Sequence, residues 1–293
     1  MQEYVLAECL CEALAALSRW EGQGRIVAGG TDLMMDIADG KKNPKYLLDI
    51  SRMGFLQQIS DDNNMITIGA AVTHSQVAAS PIIQAKASAL AKAARSVGSL
   101  QIRNVGTVVG NVVNAQPAAD TAVTLVALGA EANIATNGGC INVPVEEMYV
   151  GVGQSTVDST RQLVTGVQFT GCQSGQGTGF ARLSQRNALA LPMLNVATMI
   201  SLDGEVIDWA RIVMAPVGPR PTRATKAEQF LVGKPADAAT ITEAAKIATR
   251  DANPRDSALR GSHRYRLDVL PTLVQRALTM ALSEAKQTWE VKS

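Results

Sequence analysis

The sequence predicts an α+β protein built from three packed units. Residues 1–60 show a strand, turn, helix, strand order, which is typical of a small parallel sheet with helical cover. Residues 61–175 change to an alternating pattern, as in Met65–Val72, which predicts a mixed or antiparallel sheet with helices. Residues 176–293 begin with strands and end with helices, so we expect a C-terminal α+β domain. A chain of 293 residues also exceeds the usual size of one hydrophobic core.

The first unit is predicted to start with an amphipathic helix, because apolar residues recur at helical spacing from Leu10 to Leu17. Glycines at residues 22–24 end that helix. Arg25–Ala28 is then predicted as a short strand followed by a Gly-Gly-Thr turn. Tyr46–Ile50 follows a proline-containing turn at 41–44 and is the second predicted strand.

The second unit is predicted to open with a polar turn at 61–64 and the strand Met65–Val72. Ser80 and Pro81 have the residue types of a helix N-cap and first helical position, so we expect one long alanine-rich helix from there to Ser96. A further helix begins near Asp120.

The same unit is predicted to end in strands and a break. Asn137-Gly138-Gly139 forms a turn between the strands Ala132–Ala135 and Ile141–Val145, and Gln162–Phe169 is another strand. The glycine-rich segment Gly171–Gly179 predicts a flexible break, and we place the domain boundary there.

In the last unit, the dipeptide Asp203-Gly204 predicts a hairpin turn within a set of strands. The predicted strands are Phe180–Gln185, Asn195–Leu202 and Val206–Ala215. The predicted helices are Ala224–Leu231, Thr240–Asp251 and Leu267–Lys286.

Composition excludes several classes of partner. The formal net charge is +1 and no long basic run occurs, which argues against a nucleic-acid or anionic-membrane partner. No uninterrupted apolar stretch reaches the roughly 20 residues of a membrane span. Glu8 and Glu12 do not fit a secretory signal, so we expect a cytoplasmic protein.

The metal-ligating residues are sparse. Four cysteines, at 9, 11, 140 and 172, do not form the paired C-x-x-C spacing of a zinc or iron–sulfur site, and the chain has only two histidines. We therefore predict no metal site. Cys9 and Cys11 are two apart on a predicted helix, so we expect them to point in different directions and to be ordinary semi-buried thiols.

Two glycine-bearing segments are the most informative feature of the chain. Arg25–Asp32 and Ile102–Asn111 each offer glycines together with hydroxyl and amide side chains, where a backbone can approach an anion closely. One ligand with two phosphates could bind both. Nearby, we expect His74 to be a structural or surface residue, whereas Arg103 either binds a neighbouring subunit or caps the glycine-rich backbone.

These segments carry a resemblance to a known family. Ala28–Asp32, Ile68–Thr73, Gln101–Thr107 with Gly110-Asn111, and Pro117 with Asp120 occur in a characteristic order and spacing. Over almost its whole length the chain resembles the FAD-binding middle subunit of the molybdenum hydroxylases, the family of xanthine dehydrogenase and carbon monoxide dehydrogenase. The resemblance implies a two-subdomain FAD-binding region, divided as 1–60 and 61–175, followed by the C-terminal domain.

The resemblance also implies an electron-transfer role. In this family a large subunit carries molybdopterin, a small subunit carries two [2Fe-2S] clusters, and the flavin subunit passes electrons on, often to NAD. We therefore expect FAD in this chain, the other cofactors in partner subunits, and an assembly such as a heterotrimer. The flavin supplies the redox chemistry, so no side chain is predicted to be catalytic.

The resemblance assigns the cofactor-binding residues. The two glycine segments would bind the FAD phosphates or ribitol through Arg25, Ile26, Val27, Ala28, Gly29, Gly30, Thr31, Asp32, Leu33, Thr107, Val108, Val109, Gly110 and Asn111. Asp120 would bind a polar part of the cofactor, and Leu163 and Phe180 would pack near its ring system.

The chain departs from the family pattern in three places, one of them at Gln116 and Ala119, where many relatives have serine. Val109 stands where many relatives have glycine, and Ala190 stands where relatives frequently have an acid. Two alternatives follow: a scaffold subunit that has lost flavin, supported by the departures at Val109 and Ala190, and a self-sufficient FAD oxidoreductase with its own substrate pocket.

Overall fold

The computed structural model describes residues 2–186 and 189–290, the side chain of residue 290 excepted. The α-helices are α1 Leu10–Arg19, α2 Leu33–Ala38, α3 His74–Ala79, α4 Pro81–Lys86, α5 Ser88–Ser96, α6 Leu100–Val105, α7 Val108–Val113, α8 Asp120–Ala127, α9 Thr225–Leu231, α10 Ala238–Ala248 and α11 His263–Glu290.

In the described parts of the chain, the strands form four sheets. They are β1 Glu3–Leu6, β2 Gly24–Val27, β3 Tyr46–Asp49, β4 Ile59–Asp62, β5 Met65–Gly69, β6 Glu131–Thr136, β7 Gly139–Pro144, β8 Tyr149–Gly151, β9 Gln154–Ser155, β10 Leu163–Thr170, β11 Gln176–Leu183, β12 Leu194–Asp203, β13 Val206–Ala215 and β14 Thr222–Arg223.

The three main sheets follow one another along the chain. The first is parallel, with the order β1-β3-β2. The second is antiparallel, with the order β4-β5-β10-β6-β7, and the third is antiparallel, with the order β11-β12-β13-β14. A two-stranded ribbon, β8-β9, completes the set. The α+β class is confirmed, and β1 is a strand that the sequence pattern did not reveal.

The predicted long helix from Pro81 to Ser96 is wrong, because the chain breaks at Ala87 into α4 and α5. Ala87 has φ −158° and ψ 56°, outside the helical region. The hydroxyl oxygen of Thr178, on β11, accepts a hydrogen bond from the Ala89 amide at 3.2 Å. A distant strand therefore supplies the cap for α5, which a local pattern cannot show.

The predicted flexible break at Gly171–Gly179 is also wrong over its second half, since β11 begins at Gln176. A Cβ at Gly177 would lie 2.2 Å from the Ala281 carbonyl oxygen, and one at Gly179 would lie 1.9 Å from that of Ala277. These glycines are required by the close packing of β11 on α11, and not by flexibility.

The turn predicted at 61–64 is shorter than expected. It is confined to Asn63-Asn64, because Asp61 and Asp62 end β4.

The interior contains two hydrophobic clusters. The larger lies mainly between the first two sheets and their helices and includes Leu17, Ile66 and Leu125. It extends into the third sheet through Phe180 and Ala197. The smaller packs α9, α10 and α11 against the third sheet. Across the residues that the structure describes, no helix has the length and apolar character needed to cross a membrane.

Candidate functional site

The first glycine segment is a turn at the carboxyl edge of the parallel sheet, between β2 and α2. Gly30 has φ +67°, a left-handed conformation that glycine adopts without strain. Within the described chain, the backbone N–H groups of residues 28–33 have no hydrogen-bond acceptor. Backbone N–H groups need a partner, so this run of free donors is suited to an anion.

The second glycine segment is mostly helical, and only the two-residue turn Gly106-Thr107 separates α6 from α7. The segment 72–74, which ends at the first residue of α3, holds this turn in place: the His74 amide donates to the Gly106 carbonyl at 3.0 Å, and the Val108 amide donates to the Val72 carbonyl at 3.2 Å. The Thr107 side chain accepts from the Gly110 amide at 3.0 Å and caps α7.

The two turns lie directly against each other. A Cβ at Gly29 would lie 2.1 Å from the Val105 carbonyl oxygen, and a Cβ at Gly106 would lie 3.5 Å from the Thr31 hydroxyl oxygen. Only glycine at position 29 permits this approach. The two turns are therefore neighbours in space, one following a strand of the parallel sheet and the other joining two helices. That one ligand binds both turns stays a prediction.

The other residues predicted to bind the cofactor near the turns differ in whether their hydrogen-bonding groups are free. The amide of Val109 has no acceptor among the described residues, whereas that of Val108 is already bonded. The Asn111 carboxamide oxygen accepts from the Thr121 hydroxyl at 2.8 Å, which orients its NH₂ group. Asp32 is exposed and does not cap α2 with its side chain.

Three of the residues predicted to bind the cofactor, Arg25, Ile26 and Val27, lie in β2, which precedes the glycine turn. Arg25 Nη1 donates to the carbonyl oxygens of Gly22 at 3.3 Å and Gly24 at 2.8 Å. This places the guanidinium at the amino end of β2, opposite the glycine turn. Ile26 and Val27 pair with β3 in the ladder, so their role is to position the turn.

Asp120 lies in a buried polar network and is only 5% exposed. Its carboxylate accepts from Arg182 Nε at 3.2 and 3.3 Å and from Asn195 Nδ2 at 2.6 Å. Burial raises the pKa of Asp120, while Arg182 and Asn195 act in the opposite direction. The network joins α8 to the third sheet through β11 and β12. Leu163 and Phe180 are also buried, 0% and 7% exposed.

Sequence reasoning underestimated His74, which is buried at the junction of the turns. Its Cδ2 lies 3.6 Å from the Cβ position of Gly106, and its Nδ1 has no hydrogen-bond partner in the part of the chain described. Burial, with a contribution from Arg103, lowers the pKa of His74 to about 4. Arg103 donates through Nη1 to the Val97 carbonyl at 2.9 Å, so it caps backbone, one of its two expected roles.

We expect the protein to lose stability between pH 6.5 and pH 4 because of His74. The unfolded chain binds a proton near pH 6.5 and the folded chain only near pH 4, so unfolding is favoured as the pH falls. At pH 5 the effect is about 2 kcal/mol relative to pH 7. Urea unfolding of the wild type and His74→Gln at both pH values measures it. An equal pH dependence in the variant would exclude His74 as the cause.

Comparisons with known proteins identify the family of this chain. Residues 1–169 match the family model described as the FAD binding domain in molybdopterin dehydrogenase, and residues 180–281 match the CO dehydrogenase flavoprotein C-terminal domain. The chain belongs to the FAD-binding subunits of the molybdenum hydroxylases. It is thus an oxidoreductase subunit of the xanthine dehydrogenase family, with FAD as the cofactor of its own domain.

Relatives match this flavin subunit over nearly their full lengths. The glyceraldehyde dehydrogenase medium chain of Sulfolobus acidocaldarius is 30% identical, with 94% of this chain and 96% of the relative covered. A xanthine dehydrogenase FAD-binding subunit of Escherichia coli is 26% identical, with 96% of each covered. A structure of carbon monoxide dehydrogenase from Hydrogenophaga pseudoflava aligns with a TM-score of 0.90 at 26% identity, covering 96% of this chain and 97% of that one.

Proposed function

We propose that this subunit holds FAD across the two glycine turns and passes electrons from the [2Fe-2S] clusters of a partner subunit to NAD or another acceptor. One observation carries the proposal: the unpartnered amides of residues 28–33 lie against the second turn, where a diphosphate could contact both. The free amides fit an anionic group that must approach the backbone closely.

The chain's own residues would bind and orient the cofactor. The amides of residues 28–33 and of Val109 would donate to the phosphates, and the Thr31 hydroxyl and the Asn111 NH₂ group would add further hydrogen bonds. FAD, when bound, supplies one-electron acceptance and hydride donation. We assign no catalytic side chain, since the protein's task here is positioning.

The likeness to medium subunits of multi-subunit enzymes extends the proposal to partners. We infer a molybdopterin-binding large subunit and a [2Fe-2S] small subunit, assembled as a heterotrimer in the cytoplasm. Residues 1–60 and 61–175 would form the FAD-binding region, and residues 176–293 the C-terminal domain.

Two observations, at Val109 and at Ala190, weigh against the flavin-free scaffold alternative. Val109 is only 3% exposed, so its side chain packs inward, and its amide has no acceptor among the described residues. Ala190 accepts a hydrogen bond from Arg182 Nη2 through its carbonyl oxygen, a contact that is independent of its side chain.

A visible absorption spectrum of the purified chain, followed by release and identification of the chromophore, tests the proposal. We expect one FAD per chain, reduced by NADH if NAD is the acceptor. FAD that NADH leaves oxidised would retain the binding site but exclude NAD. A colourless chain that does not take up FAD would favour the scaffold, and flavin reduced by small alcohols or acids without partners would favour the self-sufficient enzyme.

A further inference from the structure

A cleft with a basic lining lies at the amino end of the parallel sheet, at the other end of β2 from the first glycine turn. It has a volume of about 330 Å³ and lies between the loop that precedes β2 and the loop that precedes β3. The Lys45 amide joins the two loops, because it donates to the Gln23 carbonyl at 3.1 Å. The lining residues that can bind an anion are Gly22, Arg25, Lys41, Lys42, Asn43 and Lys45.

The guanidinium of Arg25 is fixed through one nitrogen only. Its Nη1 donates to the carbonyl oxygens of Gly22 at 3.3 Å and Gly24 at 2.8 Å. Within the described chain, Nε and Nη2 have no acceptor, and the guanidinium forms no ion pair. These two nitrogens form the edge of a guanidinium that can bind two oxygens of one phosphate. Arg25 is therefore held in position with its binding edge free.

Two backbone amides of the loops are also free. Among the residues that the structure describes, the N–H groups of Gly22 and Asn43 have no acceptor, whereas the amides of Gln23, Lys41 and Lys42 bond to backbone carbonyls. Exposed amides can bond to water, so these two groups alone do not indicate a ligand. Beside a fixed guanidinium and three ammonium groups, they complete the donor set of an anion site.

The positive charge of the three lysines is only partly offset by surface acids. No aspartate or glutamate lines the cleft. Lys41 pairs with Asp39 at 2.8 Å. Lys42 pairs with Asp36 at 2.7 Å, and Lys45 forms no ion pair within the part of the chain described. The two ion pairs are solvent-exposed, and pairs of this kind are weak, so the lysines can turn to another anion at little cost.

We propose that this cleft is a second anion site, which binds a soluble compound that carries a phosphate or diphosphate group. Four cationic side chains match an anion with two or more negative charges, and the free edge of Arg25 matches the spacing of phosphate oxygens. The volume is at the lower end of the range of small-ligand sites, so it fits a compact ligand such as the diphosphate end of a nucleotide.

The cleft is separate from the proposed FAD site. β2 extends from Gly24 to Val27, so the cleft at its amino end and the glycine turn at its carboxyl end are about 10 Å apart along the strand. The proposal therefore does not depend on the proposed function, and either can fail without the other.

The test titrates the ¹⁵N-labelled full chain with inorganic pyrophosphate at about 0.15 M sodium chloride, with and without added FAD. We expect the amide signals of Gly22 and Asn43 to shift together and to saturate in both samples. In the sample with FAD, the signals of Gly29 and Gly30 should not respond to pyrophosphate. If pyrophosphate shifted only the signals of the glycine turn, or shifted none, the cleft would not be an anion site.

A double variant and a matched control separate a built site from general charge attraction. Lys42→Gln with Lys45→Gln should raise the dissociation constant for pyrophosphate about tenfold or more, because it removes two charged donors. Lys226→Gln with Lys246→Gln removes the same charge from exposed ion pairs outside the cleft, and it should change the constant less than about twofold. Equal effects of the two double variants would overturn the proposal.

Three further probes test the class of ligand. ADP should compete with pyrophosphate, whereas sulfate should bind about tenfold more weakly, because it lacks a second anionic group. Sulfate that binds as tightly as pyrophosphate would show an adventitious anion only. Sedimentation with vesicles containing phosphatidylinositol phosphate, if lost in Lys42→Gln with Lys45→Gln, would assign the cleft to a lipid surface. Either of these results would overturn the assignment to a soluble phosphate compound.

Discussion

Gly29→Ala is expected to weaken FAD binding at least tenfold, about 1.4 kcal/mol. Its Cβ would lie 2.1 Å from the Val105 carbonyl oxygen and 2.8 Å from Gly106 Cα, which are backbone atoms that cannot rotate away. The two turns must therefore separate, and a ligand that contacts both loses one set of donors. Titration of the apo chain with FAD, followed by flavin fluorescence, measures the dissociation constant.

Gly54→Ala is the matched control for this prediction. No atom lies within 4 Å of a Cβ at Gly54, and its φ is not in the left-handed region. The control should bind FAD like the wild type. If Gly29→Ala also kept the wild-type dissociation constant, the apposition of the turns would have no part in binding.

Asp120→Ala is expected to lower the free energy of unfolding by about 3 kcal/mol, because it leaves the Arg182 guanidinium buried without its carboxylate. The loss should be the same with and without FAD, since the carboxylate is occupied by Arg182 and Asn195. Chemical denaturation of the apo and FAD-loaded forms measures both values.

The comparison variant for Asp120 is Glu243→Ala. Glu243 pairs with Lys246 at 3.2 Å on the surface, where an ion pair contributes about 0.5 kcal/mol or less.

The double variant Asp120→Leu with Arg182→Met should recover part of the lost stability, because it removes both buried charges. A stability loss confined to the FAD-loaded form would instead make Asp120 a cofactor ligand, as the family resemblance implied.

Local chemistry explains most of the elements that the sequence predicted. Asp203-Gly204 forms the β12–β13 hairpin, and Ser80 caps α4 through a contact between its hydroxyl and the Ile83 amide at 3.4 Å. Helical periodicity placed α1, α8 and α11 within a few residues of their observed bounds. These signals depend on neighbours in the chain, so one sequence is enough to detect them.

The errors occur where a distant segment determines the local structure. Ala87 breaks a helix because Thr178 caps the next one, and the glycines at 177 and 179 form a strand because α11 packs on them. From the sequence, Asp120 was predicted to bind a polar part of the cofactor. In the structure, its carboxylate accepts hydrogen bonds from Arg182 and Asn195. Neither partner is recognisable from the residues around Asp120.

The sequence by itself determined the family, the α+β class and the two glycine segments, because each rests on residue types at short spacings. Only the tertiary structure decided that the segments meet, which amides in them remain free, and that His74 lies buried between them. The physical reason is that hydrogen bonding and steric contact depend on distances in space. Those distances are fixed when the parallel sheet and the following helices pack around one core.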